Sequence, residues 1–199
     1  MKFDFIAAEN ASESYEVEFM CRMLDVSSSG YYASRSRRCT ERQKEDLELV
    51  PLIHADAERA PLASGRFDLA ISEYGASIWC DPYRWVPEAA RLLRPGGRLV
   101  FLRNSTILTL CMPDVGAADD RLLRPLRGLH RMSWESDPGV EFQPGHGEWF
   151  RILRGAGFDV ENLIEVYAPD GAETRYDFVT AEWAQKWPAE EVWFARKRG

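Results

Sequence analysis

The spacing of apolar residues predicts alternating strands and helices after residue 60. Two short apolar runs, residues 66–72 and 98–103, lie between charged or glycine positions and predict buried strands of a mainly parallel sheet. Apolar residues at helical spacing within residues 86–93 predict a helix between them, which Pro95 and the two glycines after it end. A strand, a helix and a strand in this order favour an α/β fold.

A second group of elements is predicted after residue 145. Helical spacing over residues 149–156 predicts a helix that begins after a glycine-containing loop and stops at Gly157. Alternation over residues 160–166 and the apolar run 192–195 predict two further strands. We expect these two strands to pair antiparallel at the end of an open sheet, with a ligand at the carboxyl ends of the parallel strands.

The first 45 residues have a different character. Apolar spacing over residues 17–24 predicts a short amphipathic helix, which the serine run 27–29 and Gly30 break before a second helix. A basic stretch follows, in which Arg35, Arg37 and Arg38 are the candidate DNA contacts. The pattern fits a helix-turn-helix that binds DNA through residues 27–44, but two helices and a turn are also common in proteins that never meet DNA, and the pattern alone favours that alternative. We place the boundary between this amino-terminal segment and the following domain near residues 44–50.

Composition limits the classes of function. A chain of 199 residues with 45% apolar residues is sufficient for one globular domain. The net charge of -7 argues against a whole-surface polyanion binder and leaves only a local basic patch. No apolar run is long enough to span a membrane and no secretory segment is recognisable, so we expect a cytoplasmic protein. The four scattered cysteines and three isolated histidines predict neither a disulfide framework nor a metal site.

Acidic residues follow two of the predicted strands. Asp56 comes just after a short apolar stretch, residues 50–53, where a carboxylate can accept a hydrogen bond from an exocyclic amine. Ser72, Glu73 and Tyr74 occupy the equivalent end of the next strand. The alternative interpretation is that both acids are solvated loop residues.

Aromatic residues are concentrated directly after the strand 66–72. Trp79 and Tyr83 lie between Tyr74 and Trp85, which places four aromatic side chains within twelve residues. Such a group can line a pocket for a flat or cationic ligand, with Trp79 and Tyr83 as the substrate contacts. The alternative is that these side chains form the core between helix and sheet.

Much of the chain resembles the S-adenosylmethionine-dependent methyltransferases of the Rossmann-like class. The resemblance runs from residues 54–58 through 67–72 to 88–101, includes the signature Leu-Leu-Arg-Pro-Gly-Gly-Arg-Leu at residues 92–99, and continues through 153–158 to the end. It implies a Rossmann-like sheet, S-adenosylmethionine as the cofactor and a small-molecule methyl acceptor.

The resemblance also implies roles for individual residues. Asp56 matches the acid that holds the adenine amino group, with the backbone at Ala57 beside the ring. Ser72, Glu73 and Tyr74 match the segment near the methionine part of the cofactor and the substrate. These five residues are therefore the candidate cofactor contacts.

The start of the chain resembles a different family. Residues 20–33 look like the opening of the integrase-type transposases of bacterial insertion sequences, in which this stretch is a helix-turn-helix. No G-x-G-x-x-G loop precedes residue 50. The sequence thus resembles a truncated methyltransferase: residues 1–45 are transposase-like, and residues 50–199 lack the glycine-rich first strand, loop and helix. This interpretation predicts an inactive enzyme, or alternatively a DNA-binding or non-catalytic fusion protein.

Overall fold

A computed structural model describes residues 17–24, 26–28, 31–32, 53–135 and 137–199. The chain divides into two compact units, residues 1–53 and 54–199. In the first unit, helix α1 (Val17–Met23) is the amphipathic helix predicted there, and Cys21 is buried in a small cluster with Val17 and Tyr31. The predicted second helix falls mostly outside the described residues, and Arg35, Arg37 and Arg38 fall outside them completely.

The second unit is an α/β structure. Its helices and strands, in chain order, are β1 (Phe67–Glu73), α2 (Ala76–Trp79), α3 (Pro82–Leu92), β2 (Leu93–Asn104), α4 (Thr106–Cys111), β3 (Met132–Trp134), β4 (Asp137–Glu141), α5 (His146–Gly155), β5 (Phe158–Val166), α6 (Ala181–Lys186) and β6 (Glu190–Lys197). The main sheet has the order β1-β2-β6-β5, and β3 and β4 form a separate hairpin. The strands and the two longer helices predicted after residue 60 are confirmed.

The sheet is mixed, and the prediction of a mainly parallel sheet is wrong for the described residues. Strands β1 and β2 are parallel, whereas β6 lies between β2 and β5 and is antiparallel to both. The predicted antiparallel pairing of the last two strands is confirmed. An apolar run indicates a buried strand but not its direction, so the pairing of β6 with β2 was not predictable from the pattern.

The main core lies on one face of this sheet, under α3 and α5. Asp81 caps α3, because its side chain accepts a hydrogen bond from the backbone N–H of Tyr83 at 3.0 Å. Both helices contribute a tryptophan that is buried against Phe101 of β2, and the ring centroids of Trp85 and Phe101 are 5.6 Å apart. Full burial of one large apolar side chain contributes roughly 1.5–3 kcal/mol, so this aromatic cluster fixes both helices on the sheet.

The opposite face of β1 is apolar and exposed. Within residues 53–135 and 137–199, β1 is an edge strand of the sheet. Its alternate residues Leu69 and Ile71 are 48% and 69% exposed, whereas Ser72 on the other face is buried. The strand therefore contributes to the main core through one face only.

Gly97 allows β1 and β2 to come close together at the start of their pairing. A Cβ atom at this position would lie 2.9 Å from the carbonyl oxygen of Arg94 and 3.2 Å from that of Asp68. Both contacts are with backbone atoms, and displacing these atoms would cost free energy. The second glycine of the signature at residues 92–99 thus has a steric role in the sheet.

A second core supports the loops beyond the carboxyl end of β2. Helices α4 and α6 bury Leu108, Cys111 and Trp183 against each other, with Val179 on the segment before α6. This packing fixes the chain between β5 and β6 near the sheet edge. Among the described residues, no helix is long and apolar enough to cross a membrane.

Candidate active site

A cavity of about 560 Å³ lies at the carboxyl ends of β1 and β2. Tyr74 follows β1, Asn104 ends β2 and Val166 ends β5, and all three line the cavity. Because β6 is antiparallel to its neighbours, its first residue, Glu190, pairs in register with Asn104 and Val166. The sheet therefore brings the ends of four strands to one cavity, at the edge where a ligand is expected in an open α/β sheet.

The lining combines aromatic side chains with carboxylates. The aromatic residues are Tyr74, Trp79, Tyr167, Tyr176 and Phe178. The acidic residues are Glu141, Glu173 and Glu190, and no lysine, arginine or histidine of the described chain belongs to the lining. Aromatic faces and carboxylates both attract cations, and the apolar walls fit a flat ligand. An anionic ligand would be repelled.

Tyr74 is held in an unusual conformation next to Glu190. Its φ of 52° places it in the left-handed region, which costs a residue with a side chain about 1–2 kcal/mol. Its backbone N–H donates to the carbonyl of Leu102 at 3.1 Å, and its hydroxyl donates to Oε1 of Glu190. Burial, followed by the hydrogen bond to Glu190, raises the pKa of Tyr74 well above its ordinary value. Tyr74 therefore keeps its proton and presents it to Glu190.

Asn104 is a buried polar residue in the cavity wall. Its exposed fraction is 8%, and its side-chain amide makes no hydrogen bond to any residue that the structure describes. Buried amides are usually hydrogen-bonded, so an amide without a protein partner at a cavity is available to a ligand. Asn104 can both donate and accept.

Asp56 and Ala57 lie in an exposed turn outside the cavity lining. Oδ1 of Asp56 accepts the backbone N–H of Glu58 at 2.9 Å, and Oδ2 makes no hydrogen bond to a described residue. Glu58 in turn accepts the N–H of Asp81 at 2.8 Å, which ties the turn to the start of α3. The strand predicted before Asp56 falls outside the described residues except for Ile53, which is in no strand.

The three residues predicted at the end of β1 have different positions. Ser72 is buried, and its Oγ accepts the backbone N–H of Ser77 at 3.0 Å, while Oγ of Ser77 donates to the carbonyl of Leu102. These bonds fix the turn that carries Tyr74. Glu73 is exposed and does not line the cavity, so Tyr74 alone of the three belongs to the lining.

The four aromatic residues considered together in the sequence are separated in the structure. Trp79 lines the cavity with Tyr74, and Trp85 is buried in the main core. Tyr83 is in neither place: its hydroxyl donates to Oε1 of Glu148 at 3.0 Å and its ring is 5.2 Å from that of His130. Of the two predicted substrate contacts, only Trp79 belongs to the lining.

A buried network of polar side chains ends at the cavity. Nη1 of Arg103, which is fully buried, is 3.1 Å from Oε1 of Glu191, and Oε2 of Glu191 is 2.7 Å from Nε2 of His146. On its other side, Arg103 donates to Gln143, which donates to Oε2 of Glu141 at 2.9 Å. Glu141 of the cavity wall is thereby held in place by a chain that reaches the partly exposed His146.

The network changes the protonation behaviour of its members. The hydrogen bond to Glu191 raises the pKa of His146, and partial burial, which acts in the opposite direction, does not cancel this rise. Burial alone would raise the pKa of Glu191, but the hydrogen bond from His146 and the charge of Arg103 outweigh it and lower that pKa. Both shifts favour the ion pair.

Glu190, Asn104 and Glu141 were missed by the sequence analysis. Asn104 follows the predicted strand 98–103, and Glu190 precedes the predicted strand 192–195. A rule that considers the residues at both ends of each strand would have found them, provided that the antiparallel direction of β6 was known. Glu141 ends β4, which no pattern in the sequence indicated.

No metal centre is present in the part of the chain that the structure describes. No three His, Cys, Asp or Glu side chains are close enough together there to hold an ion. The described cysteines, Cys21, Cys80 and Cys111, are free thiols.

Comparison with known proteins shows that this chain is similar to S-adenosylmethionine-dependent methyltransferases. The family described as "Methyltransferase domain" matches residues 5–101, about half of the chain. A solved S-adenosylmethionine-dependent methyltransferase from Mesorhizobium loti has the same fold, with a TM-score of 0.54, 22% identity and coverage of 80% of this chain and 77% of that one. The α/β fold is thus the Rossmann-like methyltransferase fold.

Two curated proteins are similar over most of the chain. The uncharacterized protein YafE of Escherichia coli (strain K12) is 28% identical over 162 residues, which are 80% of this chain and 66% of YafE. A demethylmenaquinone methyltransferase of Geobacillus sp. (strain WCH70) is 28% identical over 158 residues, 76% of this chain and 62% of the enzyme. The chain therefore spans less than two thirds of the length of these relatives.

The family match can be compared with the prediction that residues 1–45 are a transposase-like segment. It begins at residue 5, so it includes most of the stretch assigned by sequence to a transposase-like segment. These comparisons support neither that segment, nor a missing first third, nor a loss of activity, nor a role in DNA binding.

Proposed function

We propose that this protein transfers a methyl group from S-adenosylmethionine to a small, flat acceptor that binds in the cavity at the carboxyl ends of β1 and β2. The observation that carries the proposal is the cavity itself: aromatic walls, an available buried amide on Asn104, and the Tyr74–Glu190 pair meet at this edge. This is the edge at which open α/β sheets bind their ligands.

The residues present fit parts of the cofactor. Oδ2 of Asp56 has no partner among the described residues and can accept from the adenine amino group, with the backbone of Ala57 beside the ring. Carboxylates and aromatic faces near the end of β1, those of Glu73, Tyr74 and Trp79, suit a positively charged sulfonium. Ser72 acts indirectly, because its hydrogen bond to Ser77 positions Tyr74.

The residues of the chain bind and orient the reactants. When bound, S-adenosylmethionine supplies an electrophilic methyl group and a neutral thioether as leaving group. The aromatic walls exclude water and hold the acceptor in one plane. Tyr74 holds its proton on Oη against Glu190, and Glu190 in turn faces the acceptor as a carboxylate that can take up a proton. Asn104 orients a polar group of the acceptor.

The charge of the lining limits the class of acceptor. Three carboxylates and no cationic side chain line the cavity within the described residues, so a neutral or cationic acceptor is favoured over an anionic one. The similarity to a demethylmenaquinone methyltransferase agrees with an acceptor that has a flat, apolar body.

Titration calorimetry with S-adenosylhomocysteine tests the cofactor part of the proposal. The parent protein should bind, and Asp56→Ala should bind about 10-fold more weakly because one hydrogen bond to a charged group is lost. Asp120→Ala removes an exposed acid elsewhere and is the matched control. Absence of binding by the parent would overturn the proposal, and equal loss in both variants would remove Asp56 from the site.

Formation of S-adenosylhomocysteine in the presence of candidate acceptors tests the cavity. Flat phenols and amines should be methylated, whereas their carboxylate analogues of the same size should not. Preference for the carboxylates would contradict the assignment of the acceptor to this cavity.

A further inference from the structure

An arginine- and leucine-rich segment forms an unusual surface between α4 and β3. Residues 121–131, which we term the Arg/Leu segment, contain four arginines, four leucines and no acidic residue, in a protein with a net charge of -7. We propose that this segment docks the protein on an anionic lipid membrane. The docking does not depend on the proposed methyl transfer.

The leucines of the segment are exposed together. Leu122, Leu123 and Leu126 are 70%, 46% and 50% exposed, whereas Leu129 is buried. Single exposed leucines are ordinary in soluble proteins, but three within five positions form a local apolar surface that water solvates poorly. Insertion into the boundary between lipid headgroups and acyl chains removes this surface from water.

Two of the four arginines in the segment have no partner among the described residues. Arg127 and Arg131 are exposed and make neither a hydrogen bond nor an ion pair with any described residue. Arg124 donates to the carbonyl of Thr109 at 3.1 Å and stacks on the ring of Trp134, and Arg121 pairs with Asp119. The segment thus presents free guanidinium groups beside apolar side chains.

The segment is also fixed to the fold. The N–H of Leu123 donates to the carbonyl of Leu110 at 2.8 Å, and the carbonyl of His130 accepts from the N–H of Gln143 at 3.1 Å. Bonds at both ends hold the exposed leucines in a defined place, so little ordering is needed when the segment meets a surface.

These features favour a membrane over other anionic partners. Guanidinium groups bind lipid phosphates, and each contributes to attraction by an anionic leaflet. Nucleic acid would satisfy the arginines but would leave Leu122, Leu123 and Leu126 exposed to water. A surface with anionic headgroups above an apolar interior satisfies both kinds of side chain.

The position of the segment in the chain bears on how an acceptor dissolved in the membrane would reach the cavity. The N–H of Ala118, three residues before the segment, donates to the carbonyl of Phe178, so the chain that leads into the segment contacts the cavity wall. A membrane-dissolved apolar acceptor would then be presented close to the cavity. This consequence, unlike the docking, rests on the proposed function.

Cosedimentation of the full chain with lipid vesicles tests the docking. The parent should sediment with vesicles of equal parts phosphatidylglycerol and phosphatidylcholine and should not with phosphatidylcholine alone. Arg127→Gln/Arg131→Gln should weaken partitioning about 30-fold, since each arginine contributes about one factor of five to six. Leu122→Ser/Leu123→Ser should also weaken partitioning. Its effect should be larger at high salt than at low salt, because the charges are then screened and binding depends more on the leucines.

A variant with the same change of charge provides the control. Arg37→Gln/Arg38→Gln alters the other basic stretch and should sediment as the parent does, with all variants checked for folding by circular dichroism. The docking is overturned if the parent fails to sediment with anionic vesicles, if it sediments equally with both vesicle types, or if the Arg37/Arg38 variant alone loses binding. Binding to duplex DNA that the Arg127/Arg131 variant loses, without vesicle binding, would assign the segment to nucleic acid instead.

Discussion

The hydroxyl of Tyr74 donates a hydrogen bond to Oε1 of Glu190, although 116 positions separate the two residues in the chain. The sheet makes this contact: β1 ends just before Tyr74, and antiparallel β6 begins at Glu190 on the same edge. A strained backbone, a protonated phenol and a carboxylate therefore meet in the wall of one cavity.

Removal of this hydroxyl should reduce methyl transfer. Tyr74→Phe keeps the ring and the backbone, and leaves Glu190 without its donor, so we expect kcat/KM for the acceptor to fall about 10- to 100-fold, the effect of one hydrogen bond to a charged group. Steady-state kinetics with the acceptor from the methylation screen measures this. Binding of S-adenosylhomocysteine should change much less.

Tyr83→Phe is the variant with which Tyr74→Phe should be compared. Tyr83 also donates to a glutamate, Glu148, but does not line the cavity. From the sequence, Tyr83 is predicted to contact the substrate, whereas the geometry of the cavity favours Tyr74. A larger loss of activity in Tyr83→Phe than in Tyr74→Phe would favour the sequence interpretation and contradict the one from the cavity.

The parts of the fold that were predicted are those with strong local patterns. The helices α3 and α5 have apolar residues at regular helical spacing, and β1 and β2 each contain a short continuous apolar run. The short helices α2, α4 and α6 and the hairpin of β3 and β4 have too few residues to form a period. Their position depends on packing against residues far away in the chain, such as that of Trp183 against the loop after α4.

The candidate site was predicted only where it follows a single strand. Tyr74 and Trp79 were found because they come directly after β1. Whether the next aromatic residue, Tyr83, joins them depends on the turn at Cys80 and Asp81, which redirects the chain before α3. Glu190 depends on the direction of β6, and no local pattern contains that direction.

Substitution by alanine should have opposite effects on stability at Gly97 and at Gly155, because the two glycines have different surroundings. Gly97→Ala places a Cβ within 3.2 Å of two backbone carbonyls and should lower the free energy of unfolding by about 1–3 kcal/mol. Gly155→Ala lies in α5 with no atom within 4 Å of the added Cβ, and should raise it by up to about 1 kcal/mol through helix propensity. Urea unfolding of both variants measures the difference, and equal effects would refute the steric role of Gly97.

The buried ion pair should matter far more than an exposed one. Glu191→Ala leaves Arg103 fully buried without its counter-ion, and should destabilise the protein by about 3–5 kcal/mol. Asp159→Ala breaks the exposed pair with Arg198 and should change stability by less than about 1 kcal/mol. Thermal and urea unfolding test this contrast. A cost for Glu191→Ala as small as that for Asp159→Ala would show that water reaches Arg103.

The link between His146 and Glu191 should make stability depend on pH. Because the hydrogen bond to Glu191 raises the pKa of His146 above its ordinary value of 6.5, folding favours the protonated imidazole. The stabilisation is therefore fully present below about pH 6.5 and is lost as the pH rises through the folded pKa. The free energy of unfolding, measured by urea titration across this range, should fall in the parent and fall less in His146→Gln. A direct NMR titration should give His146 a midpoint above 6.5, and a midpoint at or below that value would contradict the ion pair, since burial alone lowers the pKa of a histidine.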